Sequence, residues 1–341
     1  MPGEGVAWLP RDEVLSFEEI VQVLEVAARS FGIRRVKLTG GEPTIRHGIV
    51  ELVRMLRATT LVDDLSMTTN GALLETLAEP LLQAGLDRVT VSLDSLRSDR
   101  FKAITRQGEL STVLRGVERA IEAGFKCVKI NVVAMRGLND DEIADFARIS
   151  ARLPVTVRFI EYMPLGDAQL VRDGNRFAKV LRDDGGVSYD SRRIAVSETG
   201  PAGGCGAQHR GNVFIPEHEV RALIEQQVGR LIPVARDSEP GVGPAVPYRL
   251  DVPGARGRLG FISAMSQPFC ATCNRLRLTA DGVLRSCLFE GGSVPIRGIL
   301  RSEADPELRA AMLSQAMVRC VTLRPDVHSH YGSDPMSRIG G

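Results

Sequence analysis

The sequence predicts an α/β fold built around a parallel sheet, and three observations carry that prediction. Between residues 17 and 165, strand-like and helix-like patterns alternate with a repeat of roughly 30 residues, the length of a βα unit. The first two strand-like runs stop at tight-turn pairs, Gly40-Gly41 and Asn70-Gly71. Polar residues gather at the strand ends: Gly40, Gly41 and Glu42; Thr68, Thr69 and Asn70; Ser92 and Asp94. In a (β/α) barrel such ends share one mouth, where chemistry is placed, whereas a doubly wound open sheet spreads them along an edge. The polar ends favour a full or partial TIM-type barrel. Ordinary turn residues are the plain alternative.

The elements follow in order. Phe17 to Ser30 has apolar residues at Ile20, Val21, Leu24 and Ala28, which is helical spacing. RRVKLT (34–39) is a short β-rich run, Ile49 to Ala58 is helical, and DLSMTT (64–69) is the second strand. Ala72 to Ala84 is helical, DRVTVSL (87–93) is a strand, and Thr112 to Ala123 is a helix with Gly124 as its C-cap. KCVKINVVAM (126–135) is a strand, Asp140 to Leu153 a helix, and VTVRFIEY (155–162) the fifth strand. Residues 166 to 260 are rich in glycine and charge, and read as long connections around one helix, Glu217 to Gln227. The expected division is 1–165 for the barrel and 166–341 for a C-terminal region.

Composition narrows the class. The 341 residues suffice for one large domain or two ordinary ones, and 43 basic side chains balance 42 acidic ones. That balance gives no field directed at nucleic acid or membrane. No apolar run approaches the ~20 residues needed to span a bilayer. The opening MPGEGVAWLPRDE lacks the basic and apolar regions of a signal peptide, so a cytoplasmic enzyme is expected.

The cysteines point to chemistry. Cys127, Cys205 and Cys320 are isolated, but Cys270, Cys273 and Cys287 form C-x2-C-x13-C. Two cysteines three apart can face one metal from a tight turn, and a hairpin turning at Asp281-Gly282 would return the third. A closed zinc site needs a fourth ligand, and none of the five histidines (47, 209, 218, 328, 330) lies beside the trio. Three thiolates instead suit an iron–sulfur cluster with one iron open to a ligand. Arg275 and Arg277 alternate with Leu276, so both would face one side of a strand, where two guanidiniums suit a phosphate-bearing ligand. Three structural thiols and a solvated basic strand face remain as alternatives.

Seven segments in order carry a family likeness: VKLTGGEP (36–43), MTTNG (67–71), VSLDSL (91–96), VKINVVAMRGLNDDEI (128–143), RFIEYMP (158–164), FCATCNRLRL (269–278) and the terminal IGG. Together they resemble the molybdenum cofactor biosynthesis protein A family of GTP 3′,8-cyclases, within the radical SAM superfamily. The likeness weakens between about 168 and 260. It implies a partial (β/α) barrel with two 4Fe–4S clusters. It implies S-adenosylmethionine contacts at Gly41, Glu42, Ser92 and Met163, and GTP contacts at Lys37, Thr68, Lys129, Arg275 and Arg277. At Lys37 relatives often have arginine; lysine keeps the charge and loses the bidentate fork. Cys270, Cys273 and Cys287 would hold the C-terminal cluster, whose open iron binds guanine, and the Gly340-Gly341 tail would reach the active site. The implied reaction cleaves S-adenosylmethionine to a 5′-deoxyadenosyl radical. That radical takes the ribose 3′ hydrogen of GTP, and the ribose radical attacks carbon eight of guanine. The implied partners are a second copy in a homodimer, an electron donor, and the next pathway enzyme, cyclic pyranopterin monophosphate synthase.

One family feature is missing from the sequence. The radical-generating cluster of the family sits on C-x3-C-x2-C after the first barrel strand, and these 341 residues contain no such motif. Met1-Pro2 matches the positions just after its third cysteine, so the expectation is a barrel without its first strand. A start placed too far downstream and a truncated gene both account for this. Taken literally, the chain is expected not to cleave S-adenosylmethionine. The rival readings are a non-catalytic nucleotide-binding remnant, a zinc-stabilised binding module and a different radical SAM enzyme with an auxiliary cluster.

Overall fold

A computed structural model describes residues 9–163, 213–235, 243–289 and 291–326. Cys205, His209, His328, His330, the Gly340-Gly341 tail and most of the glycine-rich stretch lie outside these residues. The helices are α1 (Phe17–Phe31), α2 (Ile49–Ala58), α3 (Leu74–Gln83), α4 (Ser98–Thr105), α5 (Leu110–Ala123), α6 (Ile143–Arg152), α7 (Glu217–Gln227), α8 (Arg297–Leu300) and α9 (Pro306–Thr322). The strands are β1 (Arg35–Leu38), β2 (Asp64–Thr69), β3 (Arg88–Ser92), β4 (Cys127–Ala134), β5 (Val155–Glu161), β6 (Leu231–Pro233), β7 (Val246–Leu250), β8 (Arg258–Ile262), β9 (Arg277–Leu278), β10 (Val283–Arg285) and β11 (Ser293–Pro295). Strand and helix alternate from β1 to β5, as the periodicity predicts. Within 166–260 the structure adds β6, β7 and the start of β8, so the expectation of connections around a single helix is corrected. These strands are short and owe their conformation to pairing with distant residues, which local pattern does not register.

The chain divides into two compact units that interleave along the sequence. The first comprises 1–91, 113–128 and 270–341. In it, β1, β2 and β3 pair in parallel, with Lys37 opposite Ser66, Leu38 opposite Met67, and Thr68 opposite Thr90. The two faces of these strands differ sharply. Leu65, Met67, Val89 and Val91 are fully buried, and burying each such side chain is worth about 1.5–3 kcal/mol. The opposite face carries Lys37, Ser66, Thr68 and Thr90, three of which are buried despite being polar. Helix α1 starts at a capping box in which Ser16 and Glu19 exchange backbone-to-side-chain hydrogen bonds of 2.7 and 3.2 Å. It packs on α9, whose Asp305 caps Glu307 and Leu308 N–H at 3.0 Å each. Their shared core contains Leu15, Val23, Ala27, Leu284, Leu313 and Met317.

The second unit comprises 92–112 and 129–269. Its strand order is β4-β5-β8-β7-β6, with β5 parallel to β8 and the β8-β7 and β7-β6 pairs antiparallel. Phe146 and Phe261 are buried here, and the Phe261 ring stacks 5.9 Å from Phe159. Gly257 lies so close to the backbone that a Cβ would meet Val155 C=O at 2.1 Å.

Candidate active site

The turn after β1 is built from the glutamate outward. Gly40 takes φ +149°, a conformation that side chains avoid, and lets the chain reverse into Gly41 and Glu42. The Glu42 carboxylate is then saturated on one oxygen. Oε1 accepts from Thr44 N–H at 3.0 Å, from the Thr44 hydroxyl, and from Thr69 Oγ1 at 2.7 Å. Oε2 accepts from Asn70 N–H at 2.6 Å. Glu42 therefore fastens the end of β1 to the end of β2, and Oε2 keeps acceptor capacity for a cationic group. Beside it Gly71 takes φ +81°, where a Cβ would meet Val113 and Val91 at 3.0 Å.

On the polar strand face, Thr68 is 8% exposed and its Oγ1 has no hydrogen-bond partner. A buried hydroxyl left unsatisfied costs about 1–3 kcal/mol, so this atom has hydrogen-bonding capacity to offer a water or a bound group. Lys37 stands on the same face, exposed, one strand away.

The cysteine region is a turn followed by a hairpin. Cys270–Thr272 forms a single 3-10 turn, closed by a 3.1 Å hydrogen bond from Cys273 N–H to Cys270 C=O, and Arg324 donates to Cys273 C=O. The hairpin turns as the sequence predicts: Gly282 has φ +78° and its N–H donates to Thr279 C=O at 3.0 Å. Arg277 pairs with Arg285, which places Cys287 two residues beyond the paired strand. All three cysteines are half-buried free thiols. Burial opposes ionisation of Cys273. The Arg275 N–H and guanidinium, with the charge of Arg277, outweigh it and hold the thiol below its usual value. Burial, reinforced by Arg275, brings Arg277 down to about 10, with Cys273 and Cys287 acting the other way. Arg277 thus stays cationic at neutral pH and feels both thiols. No three His, Cys, Asp or Glu side chains among the described residues are arranged to hold a single metal ion. A cluster does not require that arrangement, because thiolates on different irons stand farther apart than ligands to one ion. Three half-buried thiols beside two guanidiniums, with Cys273 held toward thiolate, fit such a cluster.

In the second unit, Ser92 is exposed at the end of β3, Lys129 is buried on β4, and Met163 is half-buried after β5. The loop after Ser92 is held by a polar frame. Asp94 accepts from Val133 N–H at 2.8 Å, and burial pushes its carboxyl up to about 6. Asn139 donates to Asp94 C=O and Val133 C=O at 2.7 and 2.9 Å. Glu142, 1% exposed, accepts from Ser95 Oγ, Leu96 N–H and Arg100. Sequence reasoning missed Arg158. It is 8% exposed on β5 and donates 2.9 Å to Asn131 Oδ1, on the β4 face that also carries Lys129. The alternation Lys129-Ile130-Asn131 announces that face; the partner from β5 appears only on folding.

Of the residues singled out in the sequence, Lys37, Gly41, Glu42, Thr68, Cys270, Cys273, Arg275, Arg277 and Cys287 belong to the first unit, and Ser92, Lys129 and Met163 to the second. No helix among the described residues is long and apolar enough to cross a membrane.

Comparisons with known proteins show the family. The Radical SAM superfamily profile matches residues 5–149, and Molybdenum Cofactor Synthesis C matches 193–330. The chain is 40% identical to a GTP 3′,8-cyclase from Thermodesulfovibrio yellowstonii, over 100% of this chain and 92% of the relative. It is 39% identical, over the same shares, to a GTP 3′,8-cyclase from Moorella thermoacetica. A similar solved structure is a radical SAM methyltransferase from Sphaerobacter thermophilus, 19% identical, covering 50% of this chain and 56% of that one, with a TM-score of 0.38. With its α/β fold and mostly parallel sheet, the chain belongs to the GTP 3′,8-cyclase family of the radical SAM superfamily.

Proposed function

We propose that this protein converts GTP, with S-adenosylmethionine, to (8S)-3′,8-cyclo-7,8-dihydroguanosine 5′-triphosphate in molybdenum cofactor biosynthesis, in the cytoplasm. The 4Fe–4S clusters and S-adenosylmethionine supply the radical chemistry when bound. The protein's own residues bind, orient and exclude water. Gly41 and Glu42 receive the amino end of S-adenosylmethionine, and Ser92 and Met163 contact the rest of it. Lys37, Thr68, Lys129, Arg275 and Arg277 hold GTP, four of the five being cationic, as a triphosphate demands. Cys270, Cys273 and Cys287 hold a cluster with one iron free for the guanine base. Residues 1–165 act as the radical SAM part and 166–341 as the nucleotide and auxiliary-cluster part. A homodimer, an electron donor and a following enzyme that consumes the cyclised nucleotide complete the reading.

The observation that supports it most is the placing of half-buried, ionisation-prone Cys273, at the turn that leads into the β9–β10 hairpin, beside Arg275 and Arg277. The experiment is anaerobic reconstitution with iron and sulfide, then addition of S-adenosylmethionine, GTP and a reductant. The reading expects GTP binding by these 341 residues, and 5′-deoxyadenosine and the cyclised product from a chain in which a C-x3-C-x2-C segment precedes them. A second reading concerns the 341 residues by themselves, which hold no C-x3-C-x2-C: a non-catalytic nucleotide binder. It expects GTP binding without 5′-deoxyadenosine. Failure to bind GTP would defeat both.

A further inference from the structure

The segment Asp12–Leu15 joins no sheet, yet four consecutive carbonyls along it are taken by arginines. Arg301 donates to Asp12 C=O and, at 3.1 Å, to Val14 C=O; Arg297 donates to Glu13 C=O at 2.8 Å; Arg46 donates to Leu15 C=O. The Leu15 N–H in turn donates 2.8 Å to Ala280 C=O, in the turn between β9 and β10. The Leu15 side chain is 1% exposed in the core with Leu284, Val294, Ile296 and Leu300. Leu15 therefore meets two functional elements of the first unit at once. On one side is the arginine that closes the turn begun at Glu42; on the other is the hairpin that presents Arg277.

Arg46 is built for geometry rather than for charge pairing. Its guanidinium lies 4.6 Å over the Phe17 ring, and burial lowers its pKa with no carboxylate acting on it. A stacked planar guanidinium gives its hydrogen bond a fixed direction, which a flexible ammonium does not. Arg297, which opens α8, and Arg301, which caps its end, grip the same segment just after β11 of the hairpin sheet. Of the three arginines, only Arg46 reaches it from the Glu42 turn.

We propose that Arg46 is a positioning residue: through Leu15 it sets where the β9–β10 hairpin, and with it Arg277, stands relative to the Glu42 turn. The inference rests on the GTP reading for its consequence, since Arg277 is assigned there to the nucleotide. Small displacements of such groups carry large costs in binding and rate.

The test compares wild type, Arg46→Gln and Arg46→Lys, each reconstituted anaerobically, by hydrogen exchange and by GTP calorimetry. In Arg46→Gln the Leu15, Thr279 and Gly282 amides should exchange about tenfold faster, and GTP should bind about tenfold more weakly. Iron content and α9 protection should stay at wild-type levels. Arg46→Lys keeps a donor for Leu15 C=O and should recover part of both effects; it carries the comparison alone if the glutamine variant does not fold. Unchanged Leu15 protection, or unchanged GTP affinity once Leu15 is deprotected, overturns the proposal. So does deprotection that spreads equally to α9, which would mean general loosening. A wild-type protein that does not bind GTP sinks the proposed function instead, and the exchange arm then decides the strap by itself.

Discussion

The Glu42 carboxylate accepts a 2.7 Å hydrogen bond from the Thr69 hydroxyl, binding the turn after the first strand to the end of the second. With Thr44 and Asn70 as further donors, one side chain fastens its own turn to the end of β2. A glutamine there turns an acceptor into a donor facing donors. Glu42→Gln is expected to cost about 2 kcal/mol, because bonds to a charged acceptor are worth about 1.5–3 each and are partly replaced. The midpoint of urea unfolding measures the loss. Calorimetry should show S-adenosylmethionine bound at least ~10-fold more weakly.

Gly71 should tolerate no side chain. Its φ of +81° and the 3.0 Å approach of Val113 and Val91 combine backbone strain with overpacking. Gly71→Ala is expected to destabilise by about 2–4 kcal/mol. Because Asn70 N–H would shift away from Glu42, S-adenosylmethionine affinity should fall alongside the unfolding midpoint. An alanine variant with native stability would show that the turn relaxes freely.

The Glu142–Arg100 pair is buried on both sides, at 1% and 9% side-chain exposure. Removing the carboxylate leaves the guanidinium with Asp141 alone and takes the acceptor from Leu96 N–H, while Ser95 Oγ keeps only its bonds with Arg97. Glu142→Ala is therefore expected to cost about 3 kcal/mol. A double-mutant cycle with Arg100→Met should recover part of it, and a cycle with no coupling would disprove the pairing.

Asp94 gives a pH signature. Its carboxyl is raised from 3.8 to about 6 by burial, against the opposing Val133 N–H. The folded state thus holds this proton more tightly than the unfolded chain. The associated stability is fully present below 3.8 and is lost as pH rises through about 6. The drop is at most ~3 kcal/mol and smaller with solvent screening. Asp94→Asn keeps an acceptor for Val133 and should flatten this part of the stability–pH curve between pH 4 and 7. An unaltered slope in that variant would assign the titration elsewhere.

Much of the fold was legible because sharp signals coincide with real ends. Asp64–Thr69 and Ile49–Ala58 match β2 and α2 residue for residue, and Gly124 follows α5 with φ +94°. Helix α9 carries the same kind of signal, with buried Leu313, Ala316, Met317 and Cys320 at helical spacing after the Asp305 cap, but a reading led by cysteine motifs passes over it. Helix α4 has no side-chain cap to announce it. Strands β6 to β8 are 3–5 residues long and are held by pairing across the chain, which no local pattern encodes. At the candidate site, residue types and spacing single out Glu42 and the cysteines, and the family likeness adds Lys129. The unsatisfied Thr68 hydroxyl, the Arg158–Asn131 contact and the Leu15 strap exist only in three dimensions.

The most direct test is a paired measurement on Cys273→Ala and wild type after anaerobic reconstitution: iron per chain, and GTP affinity by calorimetry. If three thiolates leave an iron open to guanine while Arg275 and Arg277 hold the phosphates, both quantities fall together in the variant. If GTP is held as firmly without Cys273 as with it, the nucleotide does not meet a cluster at these cysteines.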